Sequence, residues 1–220
     1  MDPPERMGRA DPGAWLGGVD EAGRGPAIGP LVVAGVATSD PAAVAASGVR
    51  DSKQLSPERR ERLFGEVLAI CEARVLSIGA EELDALMGER SLNEIEFAAF
   101  DSVIRALPAR KVVVDAFGDE GDLSRRLGAR TGREVIARHK ADVTDPVVSA
   151  ASVVAKVLRD RAVKDIARAL GADIGSGYPA DPVTVAFLQG YVAEHGRLPP
   201  HARHRWETSQ RLMEHKLDSF

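Results

Sequence analysis

One cysteine, Cys71, stands in 220 residues. No disulfide framework can therefore form within the chain, and a reducing cytoplasm is the expected setting. Paired Cys and His with zinc-like spacing are missing as well. His201 and His204 are spaced like ligands but lack recognisable partners, so they read as surface residues. No apolar run is long enough to suggest a membrane span. The stretch from Met1 to Asp11 carries acids and no apolar core, so no signal peptide is expected there. Basic residues are not in excess: 29 Lys and Arg against 33 Asp and Glu leave a net charge of −4. That balance argues against a protein coated in basic surface for nucleic acid. Internal repeats and low-complexity tracts are also lacking. What remains, 44% hydrophobic and 28% charged, describes a globular chain long enough to bury a substantial core.

The chain is organised around Gly18-Val19-Asp20-Glu21-Ala22-Gly23-Arg24-Gly25-Pro26. A strand leads in from Trp15, and Leu31 to Ala37 reads as a second, valine-rich strand. Two adjacent carboxylates thus sit at a strand end, followed by glycines that let backbone approach a ligand closely. For a lone Asp at a strand end, a turn residue is the better explanation. The second acid, the Gly-Arg-Gly and the prolines Pro26 and Pro30 count against it. A dinucleotide fingerprint is set aside, because Gly23, Gly25 and Gly29 have the wrong spacing and the prolines oppose an immediate helix.

Downstream, Ser56 caps a helix that starts at Pro57 and is expected to reach about Glu72, with Leu63, Val67, Ile70 and Cys71 on one stripe. Arg74 to Ile78 reads as a third strand. Helices at Ala80–Met87 and Leu92–Ala106 follow, the latter with Ile95, Ala99, Val103 and Ala106 inward. Lys111 to Asp115 carries three consecutive valines, the pattern of a central parallel strand buried on both faces. A short helix near Leu123–Leu127, a strand from Glu134 to Ala137 and a long helix from Pro146 to Leu170 complete this part, with Gly171 as its cap. A turn-rich linker from Gly175 to Pro182 precedes a helix from Val183 to His195, and a last helix runs through Trp206 and Leu212. The expected class is α/β, a mixed sheet flanked by helices with a small C-terminal helical extension.

Strands one and four both end in aspartate. If they are parallel neighbours, Asp20 and Asp115 lie a few ångströms apart, and such carboxylates need a divalent cation to stay ionised together. Oxygen ligands favour Mg²⁺ or Mn²⁺ over zinc. A third acid comes from residues 142 to 145. Asp145, before Pro146, has the place of an N-cap, whereas Asp142 has no such task; spacing alone does not choose between them. Two basic stretches, Arg125 to Lys140 and Arg197 to Lys216, are candidate phosphate-facing surfaces, though charge alone favours a solvated face.

Beyond these patterns, the chain resembles ribonuclease HII, the type 2 ribonuclease H family, and most its archaeal form. The resemblance is carried by residues 18 to 26, Asp-Ser-Lys at 51 to 53, Leu-Asn-Glu-Ile-Glu at 92 to 96 and Val-Asp-Ala at 114 to 116. His-Lys-Ala-Asp at 139 to 142, Val-Val-Ser-Ala-Ala-Ser at 147 to 152, Ala-Lys-Val at 155 to 157 and Gly-Ser-Gly-Tyr-Pro at 175 to 179 follow in order. It implies the ribonuclease H fold, with three antiparallel strands followed by two parallel ones. It also implies a catalytic domain over 1–175 and a helical extension over 176–220.

By the same resemblance, Asp20, Glu21, Asp115 and Asp142 hold two Mg²⁺ or Mn²⁺ ions. Gly23, Arg24 and Gly25 read a ribose 2′-hydroxyl through backbone groups, Tyr178 packs at the ribose–deoxyribose junction, and Lys53 contacts phosphate. The implied substrates are RNA/DNA hybrids and duplex DNA with embedded ribonucleotides, cut by a chain read as a monomer. Glu207 follows Trp206 where relatives often carry a base, which weakens a DNA-gripping role for the last helix. Leu217 and Phe220 imperfectly match a sliding-clamp motif. Two other classes compete: a recombinase core, for which no site-specific DNA-binding module is evident, and a hybrid-binding protein that has lost catalysis, which all four acids disfavour.

Overall fold

Valine-rich segments from distant parts of the chain form one five-stranded sheet. The computed structural model describes residues 15–49 and 56–217. Strands β1 (Leu16–Ala22), β2 (Leu31–Thr38), β3 (Glu72–Ile78), β4 (Lys111–Asp115) and β5 (Glu134–Arg138) are ordered β3-β2-β1-β4-β5. The first three are antiparallel neighbours, and β4 and β5 run parallel to β1. Every residue of β2 is buried, because both sheet faces are covered. Val33 and Leu31 pack on one face with Phe100 and Val103, while Val32, Ala34 and Val36 pack on the other with Val147 and Val154. Full burial of one such valine stabilises the fold by about 1.5–3 kcal/mol.

The helices are α1 (Pro41–Ala46), α2 (Pro57–Ile70), α3 (Ala80–Leu86), α4 (Leu92–Ala106), α5 (Glu120–Thr131), α6 (Ala141–Thr144), α7 (Pro146–Leu170), α8 (Pro182–His195) and α9 (Glu207–Leu217). Helix α7 has the limits expected from sequence, and Gly171 ends it in the left-handed conformation at φ 63°. Its N-terminus lies directly on β1. A Cβ on Gly18 would sit 2.4 Å from the Val147 carbonyl carbon, so only glycine permits this approach. A third apolar cluster joins the far end of α7 to α8 through Val163, Ile166, Ile174, Leu188 and Val192.

Several boundaries differ from expectation. Helix α2 stops at Ile70, and the backbone turns extended at Cys71, because Glu72 already pairs with Ala37 as β3 begins. Cys71 is half-buried at the helix end, not inside the helix, and Ile70 is exposed. On α4, Phe100 and Ile104 are buried and Ala106 is exposed. Helix α5 is longer than the short one expected, since the Asp119 side chain accepts a hydrogen bond from the Asp122 N–H and so caps an earlier turn. Helices α1 and α6 were not foreseen, although Asp40-Pro41 carries a cap signal that α1 uses. No helix among the described residues is long and apolar enough to cross a membrane.

Candidate active site

The parallel pairing places Val19 beside Val114, so the next residues along, Asp20 and Asp115, emerge together at one sheet edge. Asp142 comes from α6, entered through Lys140 in a left-handed conformation at φ 59°. Carboxylate oxygens of Asp20, Asp115 and Asp142 lie within 4.8 Å of one another. Asp20 and Asp142 are buried and Asp115 is half-buried. Hydrogen bonds hold each of the three residues. Asp20 Oδ1 accepts from the Glu21 N–H at 2.8 Å, and Asp115 Oδ1 accepts from the Ala141 N–H at 2.7 Å. Ser149 Oγ donates to the Asp142 carbonyl at 2.6 Å.

Geometry separates the two candidate third acids. Asp145 Oδ1 accepts from the N–H groups of Val147 and Val148 at 2.8 and 3.2 Å, and so caps α7. Asp142 joins the cluster. Glu21 lies at its margin, half-buried, with Oε2 buried and without a hydrogen-bond partner. Burial, and then the charges of Asp20 and Asp115, push its carboxyl up to about 8, against the pull of Arg24. Asp20 rises to about 6, chiefly through burial, although a hydrogen bond from Ser152 and the charge of Lys156 oppose the rise. Such crowding of anions, one with an orphaned oxygen, fits divalent cations with oxygen ligands.

Beside the cluster runs an open cleft. Glu21, Gly23, Arg24 and Gly25 line one wall, and Lys156 and Tyr178 line the other. Gly23 adopts φ 91°, and a Cβ there would meet the Pro30 carbonyl oxygen at 2.3 Å, so this turn requires glycine. The Arg24 side chain is committed to α4, where it pairs with the fully buried Glu96 and donates to Asn93 Oδ1 at 2.6 Å. Tyr178 is exposed, and its ring lies 4.7 Å from the Arg159 guanidinium. Lys53 lies outside the described residues.

Against curated proteins and solved structures, the family model for ribonuclease HII matches residues 17–209. The chain belongs to the ribonuclease HII family. It is 44% identical to ribonuclease HII of Methanothrix thermoacetophila over 89% of this chain and 95% of that one. It is similar to a solved structure of the PCNA:RNase HII complex from Archaeoglobus fulgidus, at TM-score 0.87 and 43% identity, covering 93% of this chain and 100% of that one. Ribonuclease H2 from Pyrococcus horikoshii matches at TM-score 0.85 and 38% identity, over 91% and 98% of the two chains. Ribonuclease HII proteins are metal-dependent endonucleases, and the fold here is theirs, as the motifs implied.

Other residues at this ribonuclease HII site had no role assigned from sequence. On α7, Ser152 and Lys156 face the acids: Lys156 Nζ stands 3.9 Å from Asp142 Oδ2 and donates to Ser152 Oγ. Their spacing with Ser149 along one helix face is the signal that could have found them. Arg159 lies one turn further on and donates to the Ser176 carbonyl at 2.6 Å.

Several arginines of the two basic stretches have acidic partners within the fold. Asp122 takes Arg125 and Arg126, and Asp101 takes Arg105 and Arg130. Arg205 binds Asp84, and Arg211 pairs with Glu207. His201 and His204 are exposed and belong to no metal-binding group among the described residues.

Proposed function

We propose that the chain hydrolyses the RNA strand of RNA/DNA hybrids and cuts duplex DNA on the 5′ side of embedded ribonucleotides, leaving 3′-hydroxyl and 5′-phosphate ends. The observation that carries this reading is the meeting of Asp20, Asp115 and Asp142 within 4.8 Å, next to a cleft walled by the Gly23–Gly25 turn and Tyr178. Asp20, Glu21, Asp115 and Asp142 would hold two Mg²⁺ or Mn²⁺ ions, with the orphaned Glu21 Oε2 supplying a free ligand atom. When bound, the ions activate a water and stabilise charge on the scissile phosphate and the leaving 3′ oxygen.

The protein's own groups do the rest. Lys156 offsets part of the carboxylate charge while no ion is held. Backbone groups of Gly23, Arg24 and Gly25 bind the 2′-hydroxyl, a donor and acceptor that marks RNA. Tyr178, exposed and stacked on Arg159, packs on the deoxyribose that follows the cut. Lys53 contacts a phosphate. No side-chain nucleophile is needed, and Cys71 is unsuited, since burial pushes its thiol up to about 11. Residues 1–175 act as the catalytic domain, and 176–220 as an extension that supports the cleft.

A clamp partner is part of the same reading. The Archaeoglobus relative has been solved with PCNA, and here Leu217 ends α9 while Phe220 lies outside the described residues. Leu217 and Phe220 would fill an apolar clamp pocket. Equal binding of a sliding clamp by the full chain and by one ending at Lys216 contradicts this part.

The main test is a labelled DNA duplex with one ribonucleotide. Cleavage on its 5′ side with Mg²⁺ or Mn²⁺, and none in chelator, is the expected result. No cleavage with metal, or equal cleavage of an all-DNA duplex, rejects the reading.

A further inference from the structure

The C-terminal segment sends one arginine into the interior beneath the Gly23–Gly25 turn. Arg203 is fully buried. Its guanidinium is spent on main-chain carbonyls: Nη2 donates to Gly23 at 2.6 Å, Nη1 to Arg24 at 3.2 Å and Nε to Gly29 at 2.9 Å. Its other face covers the Trp206 ring at 4.5 Å. The backbone around it is stitched to the same loop. The Arg203 N–H donates to the Ala27 carbonyl at 2.8 Å, and the Gly29 N–H donates to the His201 carbonyl at 3.0 Å. Asp84 in turn accepts from the N–H groups of His204 and Arg205 at 2.6 and 3.1 Å, fixing the turn that follows.

A trans peptide is planar, with its C=O and N–H pointing in opposite directions. A donor that captures the carbonyls of Gly23 and Arg24 therefore turns the N–H groups of Arg24 and Gly25 the other way. Gly25 lies across from Tyr178, whose Cε1 would be 3.8 Å from a Cβ at that position, so this is the cleft side of the turn. We propose that Arg203 is a positioning residue for ribose recognition, setting the direction of the backbone groups that read the 2′-hydroxyl. The inference rests on the function proposed above and adds a residue that never touches substrate. Arginine suits the task because a planar fork reaches three carbonyls at once, whereas a lysine ammonium is a point donor on a flexible stem. The device also makes recognition depend on residues about 180 positions downstream of the turn.

The experiment uses the full chain with Arg203→Lys and Arg203→Gln, assayed where circular dichroism shows each to be folded. Single-turnover cleavage at one embedded ribonucleotide should fall at least tenfold, while Mn²⁺ affinity stays within twofold. In Ca²⁺, preference for the ribonucleotide duplex over all-DNA duplex should fall at least fivefold, with Arg203→Lys retaining more of it than Arg203→Gln. A purely structural role would lower the unfolding temperature and leave the rate and the preference of the folded protein unchanged; that result overturns the proposal. If neither Arg203 variant folds, Asp84→Ala, at a half-buried residue, loosens the same segment. Reduced preference then supports the proposal, and wild-type preference overturns it. A wild-type chain that fails to cut the ribonucleotide duplex contradicts the proposed function itself, which separates the two failures.

Discussion

Two regions beside the cleft handle buried charge in opposite ways. At the sheet edge, Asp20, Asp115 and Asp142 crowd together with Glu21 at their margin, and nearby Lys156 compensates only in part. Across the turn, Arg159 and Arg203 bury two guanidinium groups against main-chain carbonyls. Burial, followed by the charge of Arg159, lowers Arg203 to about 10, so it keeps its proton at neutral pH. The first region concentrates negative charge, which a bound cation relieves. In the second, Arg203 has all three guanidinium nitrogens bonded to main-chain carbonyls in advance. One region concentrates charge, and the other holds a shape.

That contrast is sharpened most by removing the acids. Asp20→Asn, Asp115→Asn and Asp142→Asn should each lower cleavage by roughly a hundred- to a thousandfold or more, the scale seen when transition-state charge loses a partner. Metal-free stability should hold or rise, because each change relieves repulsion. Thermal unfolding in chelator checks this: a large drop in stability would mean that the acids support the fold instead.

On the opposite wall, Tyr178→Ala should cost about tenfold at a single embedded ribonucleotide and less on an all-RNA/DNA hybrid, with little change in unfolding temperature. Equal losses on both substrates would show that Tyr178 does not read the junction.

A smaller effect concerns pH. Glu21 has an ordinary value of 4.5 and is raised to about 8 in the folded chain. Below about 4.5 both states hold the proton, and the stabilising contribution is fully present. As pH rises towards 8 the folded protein holds a proton that the unfolded chain has released, so stability falls. Asp20 adds the same trend between its ordinary 3.8 and about 6. In chelator, denaturant midpoints should therefore decline more steeply for wild type than for Glu21→Gln, and added Mg²⁺ should flatten the wild-type decline. Parallel curves for the two proteins would contradict the charge accounting.

Legibility from sequence divides along the same line. Asp20 and Asp115 could be read because each stands at the end of an apolar stretch that reads as a strand. A central place for β4, beside β1, could be argued from the valines at 112–114, of which Val112 and Val114 are buried and Val113 is half-buried. Asp142 against Asp145 could be argued only halfway, since the cap at Asp145 was visible but helix α6, which presents Asp142, is four residues long and leaves no periodic trace. The bracing residues were hidden. Arg203 looked like one base among several in a charged segment. Nothing local marks an arginine whose partners are carbonyls 174 to 180 residues away. Likewise Glu96 sits at the position of a solvent-facing charge until Arg24 is found against it. Groups that bind a ligand leave patterns along the chain, and groups that brace it from afar do not.

The most direct test of the central claim compares the two neighbouring aspartates by Mn²⁺ binding, followed by electron paramagnetic resonance. Asp145→Ala should bind Mn²⁺ as wild type does while losing about 1 kcal/mol of stability through the broken cap of α7. Asp142→Asn should bind at least tenfold more weakly with its stability intact. The reverse pattern, weakened binding in Asp145→Ala and wild-type binding in Asp142→Asn, would contradict the assignment of Asp20, Asp115 and Asp142 as the metal-holding centre.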